Sequence, residues 1–316
     1  MSRLVENPTK AAGGTAKARV SPRRRRPGQR HRRPWLGLLY LAPGLVVYAV
    51  VVLVPAVQGA WLSLFHWDGV TQATWAGFEN YTNFFRDPTL RQAVTHTLYF
   101  ILFFSVLPIA LGLLSAALSA RRQVRGGGVF RALVFLPQML TPAVVAVVWK
   151  RIYAPDGPIN DALRAVGLGQ LAHGWLGEYT WALPALGIAG TWGAFGLCTV
   201  LFTSGMQAIP GELYDAVRVD GGGAVREFFT VTLPGLRGSM SVVLTLTVLA
   251  AIRVFDIVWL TTKGGPGIST ITPTIVLYQR AFANPDVGAA ASIGIILAVV
   301  SLLATMVIVK LSEDKS

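Results

Sequence analysis

Six stretches of about twenty residues between Leu36 and Leu311 hold almost no charge, and this feature decides most of what the chain can become. They run over Leu36–Val57, Val94–Ala120, Ala132–Tyr153, Ala182–Ser204, Ser239–Thr261 and Val287–Leu311. A helix needs about 20 apolar residues to cross a hydrocarbon core of roughly 30 Å. At a rise of 1.5 Å per residue, the first stretch reaches about 33 Å. Backbone polar groups in lipid must be satisfied within the protein, so uncharged runs of this length fold as helices. Composition agrees: 14% of residues are charged, against about a quarter in soluble domains. The expectation is an all-α, polytopic membrane protein with six transmembrane helices over residues 35–316.

The formal net charge of +13 is unevenly placed, because 11 of the 28 Lys and Arg precede Pro34 and four of them form "RRRR" at Arg23–Arg26. Such a run can bind nucleic acid, but here it leads straight into an apolar stretch. Residues 1–34 therefore read as a disordered basic cytoplasmic tail that fixes topology, with no nucleic-acid partner. The first apolar run exceeds the roughly 7–15 residues of a signal-peptide core, so it is expected to stay as a membrane helix. The loop "RRQVRGGGVFR" between the second and third runs has four arginines and no acid, which also places it inside. Both termini are then cytoplasmic. The segment "WDGVTQATWAGFENYTNFFRDP", rich in aromatics, suits the outer interface. Cys198 is the only cysteine and the four histidines are scattered, so neither an internal disulfide nor a metal site is expected.

One polar island interrupts the pattern. "ELYDAVRVDGGGAVREFFTVTLPG", Glu212–Gly235, carries Glu212, Asp215, Arg218, Asp220, Arg226 and Glu227 between two apolar runs. Its acids outnumber its arginines, so the positive-inside rule does not explain it. Leu213, Ala216 and Val217 recur at helical spacing, and acids in the first turn suit a helix N-terminus. Gly221-Gly222-Gly223 invites a sharp turn. Val225, Phe228, Phe229 and Thr232 mark a second helical face that ends near Pro234. Two helices this short are marginal in water and need a surface to pack on. That surface is either the bilayer and the chain's own bundle, or the groove of a partner.

The island resembles the EAA loop of the inner-membrane permeases of ATP-binding-cassette (ABC) importers. Asp215-Ala216-Val217 stands at the family's first triplet, Gly221 follows at the expected distance, and Val231, Leu233 and Pro234 complete the pattern. Asp215 replaces a Glu, Val217 replaces an Ala, and Gly222 stands where the sugar-uptake branch often has Ala. "GFENYTNFFRDP", "LPQMLTPAVVAVVWK" with Gly157, Ile159 and Asn160, "FDIVWLTTKGGPG" and "AFANPDVGAAASIG" resemble further family segments in order, although His96 takes the place of an Asn before Thr97. The resemblance covers about Trp35 to Leu311. It implies a MetI-like permease core whose cytoplasmic loop, residues 206–237, docks a separate ATPase through Glu212, Tyr214, Asp215, Ala216, Val217, Asp220, Gly221, Phe228, Leu233 and Pro234. It implies a second permease subunit, an ABC ATPase dimer, an extracellular solute-binding protein and a carbohydrate substrate, in a bacterial inner membrane. A di- or oligosaccharide is the preferred solute, with glycerol phosphate or a polyol as the other options.

The chain lacks a G-x-x-x-x-G-K-[ST] phosphate loop, and in "KGGPGIST" the lysine precedes the glycines. No catalytic constellation is readable, so the chain is expected to be a transport subunit and not an enzyme. It is expected to bind no cofactor of its own, ATP being used by the partner. A self-contained secondary transporter or channel is the competing class. It needs coupling carboxylates deep in several helices, and Asp256 is the one that qualifies. Arg253 and Asp256, three residues apart, should share a face of the fifth helix, either as an ion pair, as a contact with a partner permease, or as a polar lining for solute. Trp149, Trp192, Phe195, Phe255, Asp256 and Trp259 are the candidate lining of the substrate path. Their aromatic rings can stack on the apolar faces of a sugar or simply pack. Pro137 and Pro142 predict a bent third helix.

Overall fold

The computed structural model describes residues 34–121 and 127–313, so most of the basic tail and the centre of the arginine-rich loop lie outside the described residues. The chain divides into two compact units, Met1–Leu53 and Val54–Ser316. In the first unit, α1 (Pro34–Tyr48) runs into a π-helical turn, Ala49–Leu53. The second unit begins with α2 (Val54–Leu62). A short antiparallel hairpin follows, in which β1 (Phe65–His66) pairs with β2 (Thr74–Trp75) in the register Phe65 to Trp75. Next come α3 (Glu79–Arg86), α4 (Pro88–Ile101) and α5 (Leu107–Arg121). After the undescribed loop stand α6 (Gly127–Met139), α7 (Pro142–Ile152) and α8 (Pro158–Ala165). The long α9 (Ala182–Gln207) leads into the polar island, made of α10 (Gly211–Val219), α11 (Ala224–Glu227) and α12 (Leu233–Gly235). The chain closes with α13 (Arg237–Ile252), α14 (Asp256–Thr261), α15 (Pro273–Tyr278) and α16 (Val287–Glu313).

Among the described residues, five helical runs are long and apolar enough to cross a membrane: Tyr40–Leu62, Pro88–Leu118, Ala182–Gln207, Arg237–Thr261 and Val287–Ser312. The third expected span is absent from this set because it is two helices. Pro142 has no N–H to give and forces its predecessor out of the helical region. Thr141 is accordingly extended (ψ 150°), and its hydroxyl accepts from the Val144 amide to start α7 afresh. The expected bend is thus a full break.

Proline shapes the other helices in a second way. Among the described residues, four π-helical turns occur, at Ala49–Leu53, Leu102–Val106, Phe228–Thr232 and Gln279–Ala283. Each ends two residues before a proline: Pro55, Pro108, Pro234 and Pro285. A helical proline loses one hydrogen bond and its ring crowds the carbonyl four residues back. At Pro55, Pro108 and Pro234, widening the preceding turn by one residue relieves the crowding and keeps the helix running, whereas Pro285 lies outside any helix, after the last turn has ended.

The core explains how the helices approach one another. Gly187 and Gly190 of α9 lie against the rings of Phe103 and Phe104, where a Cβ would collide. Gly112 of α5 faces Cys198 of α9, which is buried as a small packing residue. Small residues at such crossings let helices meet closely in lipid. Phe100, Leu186, Ile275 and Ile293 are fully buried in the larger core, while Cys198, Phe202, Leu236 and Val243 anchor a second one. A buried hydrogen bond between the Ser105 and Thr247 hydroxyls, 2.7 Å, ties the π turn after α4 to α13. Asp87 caps α4 by accepting from the Thr89 amide and pairs with Arg280, 193 residues away.

Candidate functional site

The polar island folds as a hairpin closed at three levels. At its tip, α10 ends in a Schellman turn: the Gly221 amide donates to Arg218 O at 3.0 Å and the Gly222 amide to Val217 O at 2.8 Å. Gly221 holds φ of +73°, a conformation glycine adopts without strain. Midway, Arg218 donates from Nε to Glu227 Oε1 at 2.8 Å and from Nη1 to Asp215 Oδ1 at 3.2 Å. The Glu227 bond, with the charge behind it, pushes the Arg218 guanidinium further above its ordinary range, so it stays charged. At the base, the Tyr214 and Thr232 hydroxyls bond at 3.1 Å. Glu227 is nearly buried, as are Val231 and Thr232, so one side of the hairpin packs inward. The other side leaves apolar groups in the open: Val219 is 87% exposed, Val225 71% and Phe229 61%. A rigid polar hairpin with an uncovered apolar edge is built to meet another surface.

The second site lies where the fifth span breaks. α13 stops at Ile252 and α14 resumes at Asp256, leaving Arg253 to Phe255 outside helical geometry. The Val254 carbonyl accepts from the hydroxyls of Thr272 and Thr274, which replace the lost helical bond. Irregular backbone at membrane depth is tolerated where protein covers it or where it borders a cavity. The break overturns the shared face expected for Arg253 and Asp256. Both are exposed, and no ion pair joins them among the described residues. Around the break the rings gather. Phe255 and Trp259 stack at 5.8 Å with 13° between planes, and Tyr278 closes on Trp259 at 4.5 Å. α14 packs on α7, and there Trp149 meets Trp192 at 5.8 Å and Tyr153 at 5.0 Å. The indole N–H of Trp149 is buried with no acceptor. An unpaired buried donor of this kind costs about 1–3 kcal/mol.

Comparison with known proteins decides what these sites belong to. The family described as "Binding-protein-dependent transport system inner membrane component" matches residues 108–315. The chain belongs to this family. It is similar to the probable ABC transporter permease protein YurN of Bacillus subtilis, 32% identical over 275 residues that cover 86% of this chain and 94% of YurN. The trehalose/maltose transport system permease protein MalF of Thermococcus litoralis is 31% identical, over 90% of this chain and 96% of its own length. The fold matches a bacterial ABC transporter involved in the import of the acidic polysaccharide alginate, with a TM-score of 0.75 at 21% identity, over 89% of this chain and 96% of that one. The protein is therefore an ABC transporter permease of the inner membrane, a transport subunit and not an enzyme.

In this permease the residues expected in the EAA loop sit together on one hairpin. Glu212, Asp215 and Ala216 are exposed on α10, Asp220 and Gly221 form its end, and Leu233 and Pro234 follow the π turn that holds Phe228. Gly222 follows in the turn before the second helix, its amide bonded to Val217 O. A Cβ there would lie 2.5 Å from Val217 Cγ1 and 2.7 Å from Val217 O, so glycine lets the turn close on the valine. Of the candidate path residues, Trp149, Trp192, Phe255 and Trp259 border one core, and Asp256 opens α14 beside them. Phe195 is apart from this group, with no ring contact among the described residues. Sequence reasoning missed Tyr278, Thr272 and Thr274. The two threonines act through hydroxyl bonds to a backbone about twenty residues earlier, a relation with no local signal. His96, in place of the family's Asn, bonds through Nδ1 to Ile271 O at 2.8 Å and so joins α4 to the segment before α15.

Proposed function

We propose that this permease forms half of the membrane path of an ATP-driven importer for a carbohydrate, and that residues 206–237 couple it to a separate ATPase. The observation that carries the reading is the hairpin: three levels of internal bonding fix its shape, while Val219, Val225 and Phe229 stand uncovered on it. A lever must be stiff and must have something to press against. Support for a sugar comes from the relatives, which include a diacetylchitobiose uptake permease of Streptomyces coelicolor and the trehalose/maltose permease already described. A di- or oligosaccharide is the preferred solute, and glycerol phosphate or a polyol fits the same chemistry. A solved neighbour contains a periplasmic protein loaded with an alginate pentasaccharide, which supports an external binding protein here as well. The remaining parts are a second permease and an ATPase pair that holds the nucleotide. Residues 1–34 act as the basic tail, both termini lie in the cytoplasm, and the hairpin faces the ATPase.

The path runs past the broken fifth span. Phe255, Trp259, Trp149 and Trp192 offer ring faces, Asp256 an acceptor and the Trp149 indole a donor. ATP binding draws the two hairpins of the permease pair together, and their motion passes into α9 and α13 to alternate access. Gly221→Val tests this. The β-branched side chain cannot hold φ of +73° without strain. The variant should insert and assemble in the membrane yet lose nearly all uptake, and should no longer bring down the ATPase on purification. Normal uptake by a correctly inserted Gly221→Val protein overturns the coupling role. Uptake that survives ATP depletion under an intact proton gradient overturns the importer reading itself.

A further inference from the structure

Away from the hairpin and the broken span, a cavity of about 750 Å³ opens between the first turns of α4, the residues leading into α9 and Ser269. One face of α4 lines it with Arg91, Gln92, Thr95 and His96. His96 lies eight residues beyond Pro88, about 12 Å along the helix. A span in contact with lipid at that depth should be apolar, and polar groups there mark a solute route by default. The cavity's valences are also open. The carbonyl of Ile271 can only accept, so His96 donates from Nδ1 and, when neutral, offers Nε2 as an acceptor. Ser269 Oγ is buried with no hydrogen-bond partner. Arg91 enters no ion pair among the described residues, and no acid among them lines the cavity. Tyr179 borders the same space, and a Cβ at Gly267 would lie 2.9 Å from its hydroxyl, so that side chain rests on the loop that carries Ser269.

We propose that this cavity is a second, outer solute site, which receives a polyhydroxylated molecule before it reaches the broken fifth span. The proposal rests on the importer reading and its orientation, in which α4 begins at the outer surface. Hydroxyl groups both donate and accept. One such molecule can accept from Arg91 and Gln92 and donate to His96 Nε2 and to the Thr95 hydroxyl oxygen, whose own proton goes to the Arg91 carbonyl. Pro88, Leu183 and Pro184 add apolar surface for the C–H faces of such a molecule, and no acid among the described residues lines the cavity to hold a cation.

The test uses the complete transporter, with partner permease, ATPase and binding protein, in lipid vesicles. Cys198 is the only native cysteine of this chain and is buried, so with cysteine-free partner subunits an introduced thiol reports alone. Thr95→Cys is treated from outside with a membrane-impermeant methanethiosulfonate, in the presence of trehalose, N,N′-diacetylchitobiose or glycerol 3-phosphate, each saturating. We expect ready modification, slowed about tenfold by at least one of the three, while a Val166→Cys control in an exposed loop is unaffected. Arg91→Ala should cut uptake of that solute about tenfold with assembly intact. The proposal is overturned if none of the three slows modification, or if the thiol is blocked in vesicles but open in detergent without any solute, which would assign the cavity to a lipid headgroup. Gln92→Cys replaces Thr95→Cys if the latter does not assemble, and the same outcomes apply. Vesicles that protect the thiol yet import none of the three solutes with ATP present overturn the importer reading and leave the site standing.

Discussion

Gly221 and Gly222 answer to different constraints within one turn. A Cβ on Gly221 would meet nothing within 4 Å, so its requirement is conformational and comes from φ of +73°. Gly222 has ordinary backbone but no room, with Val217 Cγ1 and O both inside 3 Å of the missing Cβ. Asn tolerates the left-handed region better than other residues. Gly221→Asn should therefore keep much of the uptake, whereas Gly222→Ala should lose most of it despite being the smaller change. Uptake assays on the pair, with membrane insertion as the control, check the order. A second residue-scale expectation concerns the outer hairpin. Asp68 accepts from the amides of Val70 at 2.9 Å and Thr71 at 2.7 Å, and these bonds hold its carboxyl below the usual 3.8. A carboxylate depressed in the folded state adds stability above its unfolded pKa and loses it as pH falls through the folded value. The turn should hold from neutral pH down to about 4 and loosen only in stronger acid. Hydrogen exchange at Val70 and Thr71 reads this: protection lost already near pH 6 would contradict it.

Elements in this protein are set as much by prolines as by apolar runs. The π turn at Phe228–Thr232 precedes Pro234 and carries Thr232, whose hydroxyl meets Tyr214 at the base of the hairpin. Pro234→Ala restores the missing N–H and lets a regular α-helix form. That rotates Thr232 relative to Leu233 and removes its bond to Tyr214, a loss of about 1 kcal/mol. The expected outcome is normal insertion with uptake reduced severalfold, and a comparable reduction in Tyr214→Phe, which removes the same bond without touching the helix. The hairpin was legible in the sequence because Pro210, three glycines and Pro234 bound it and because its charges stand out against apolar neighbours. The disturbance of the third span was legible from Pro137 and Pro142. That prolines 55, 108 and 234 follow a widened turn and the helix runs on was not legible, because the choice depends on what packs against the turn. The break at Arg253–Phe255 was invisible for a stronger reason. "AIRVFDIV" contains neither Gly nor Pro, and the helix yields because the Thr272 and Thr274 hydroxyls, 18 and 20 residues on, take the Val254 carbonyl. Periodicity correctly gave an apolar span there and wrongly gave Arg253 and Asp256 a common face.

For the whole molecule, coupling requires that movement of the hairpin reach the spans and not dissipate at its base. The chain enters the hairpin from α9 and leaves it into α13, and the two roots are packed without slack. A Cβ on Gly205 would collide with Ser239 Oγ and lie 2.7 Å from Leu236 Cδ2, and one on Gly235 would lie 2.7 Å from Ile209 Cδ1. Leu236 is fully buried among Cys198, Phe202 and Val243, so the contact continues into the span core. Packed cores shift between discrete arrangements and do not deform smoothly, so under the proposed coupling role this joint is where a push would become a tilt of α9 against α13. Gly205→Val wedges the joint open while leaving the hairpin's own bonds intact. In the reconstituted transporter this variant should still bind the ATPase, because Val219, Val225 and Phe229, proposed to meet it, are untouched. Its ATP hydrolysis should no longer rise when solute-loaded binding protein is added, and uptake should fall at least tenfold, about 1.4 kcal/mol of lost coupling. Loss of ATPase binding instead would show that the joint shapes the hairpin and does not transmit its motion. Wild-type stimulation together with wild-type uptake would mean that force reaches the spans by another route.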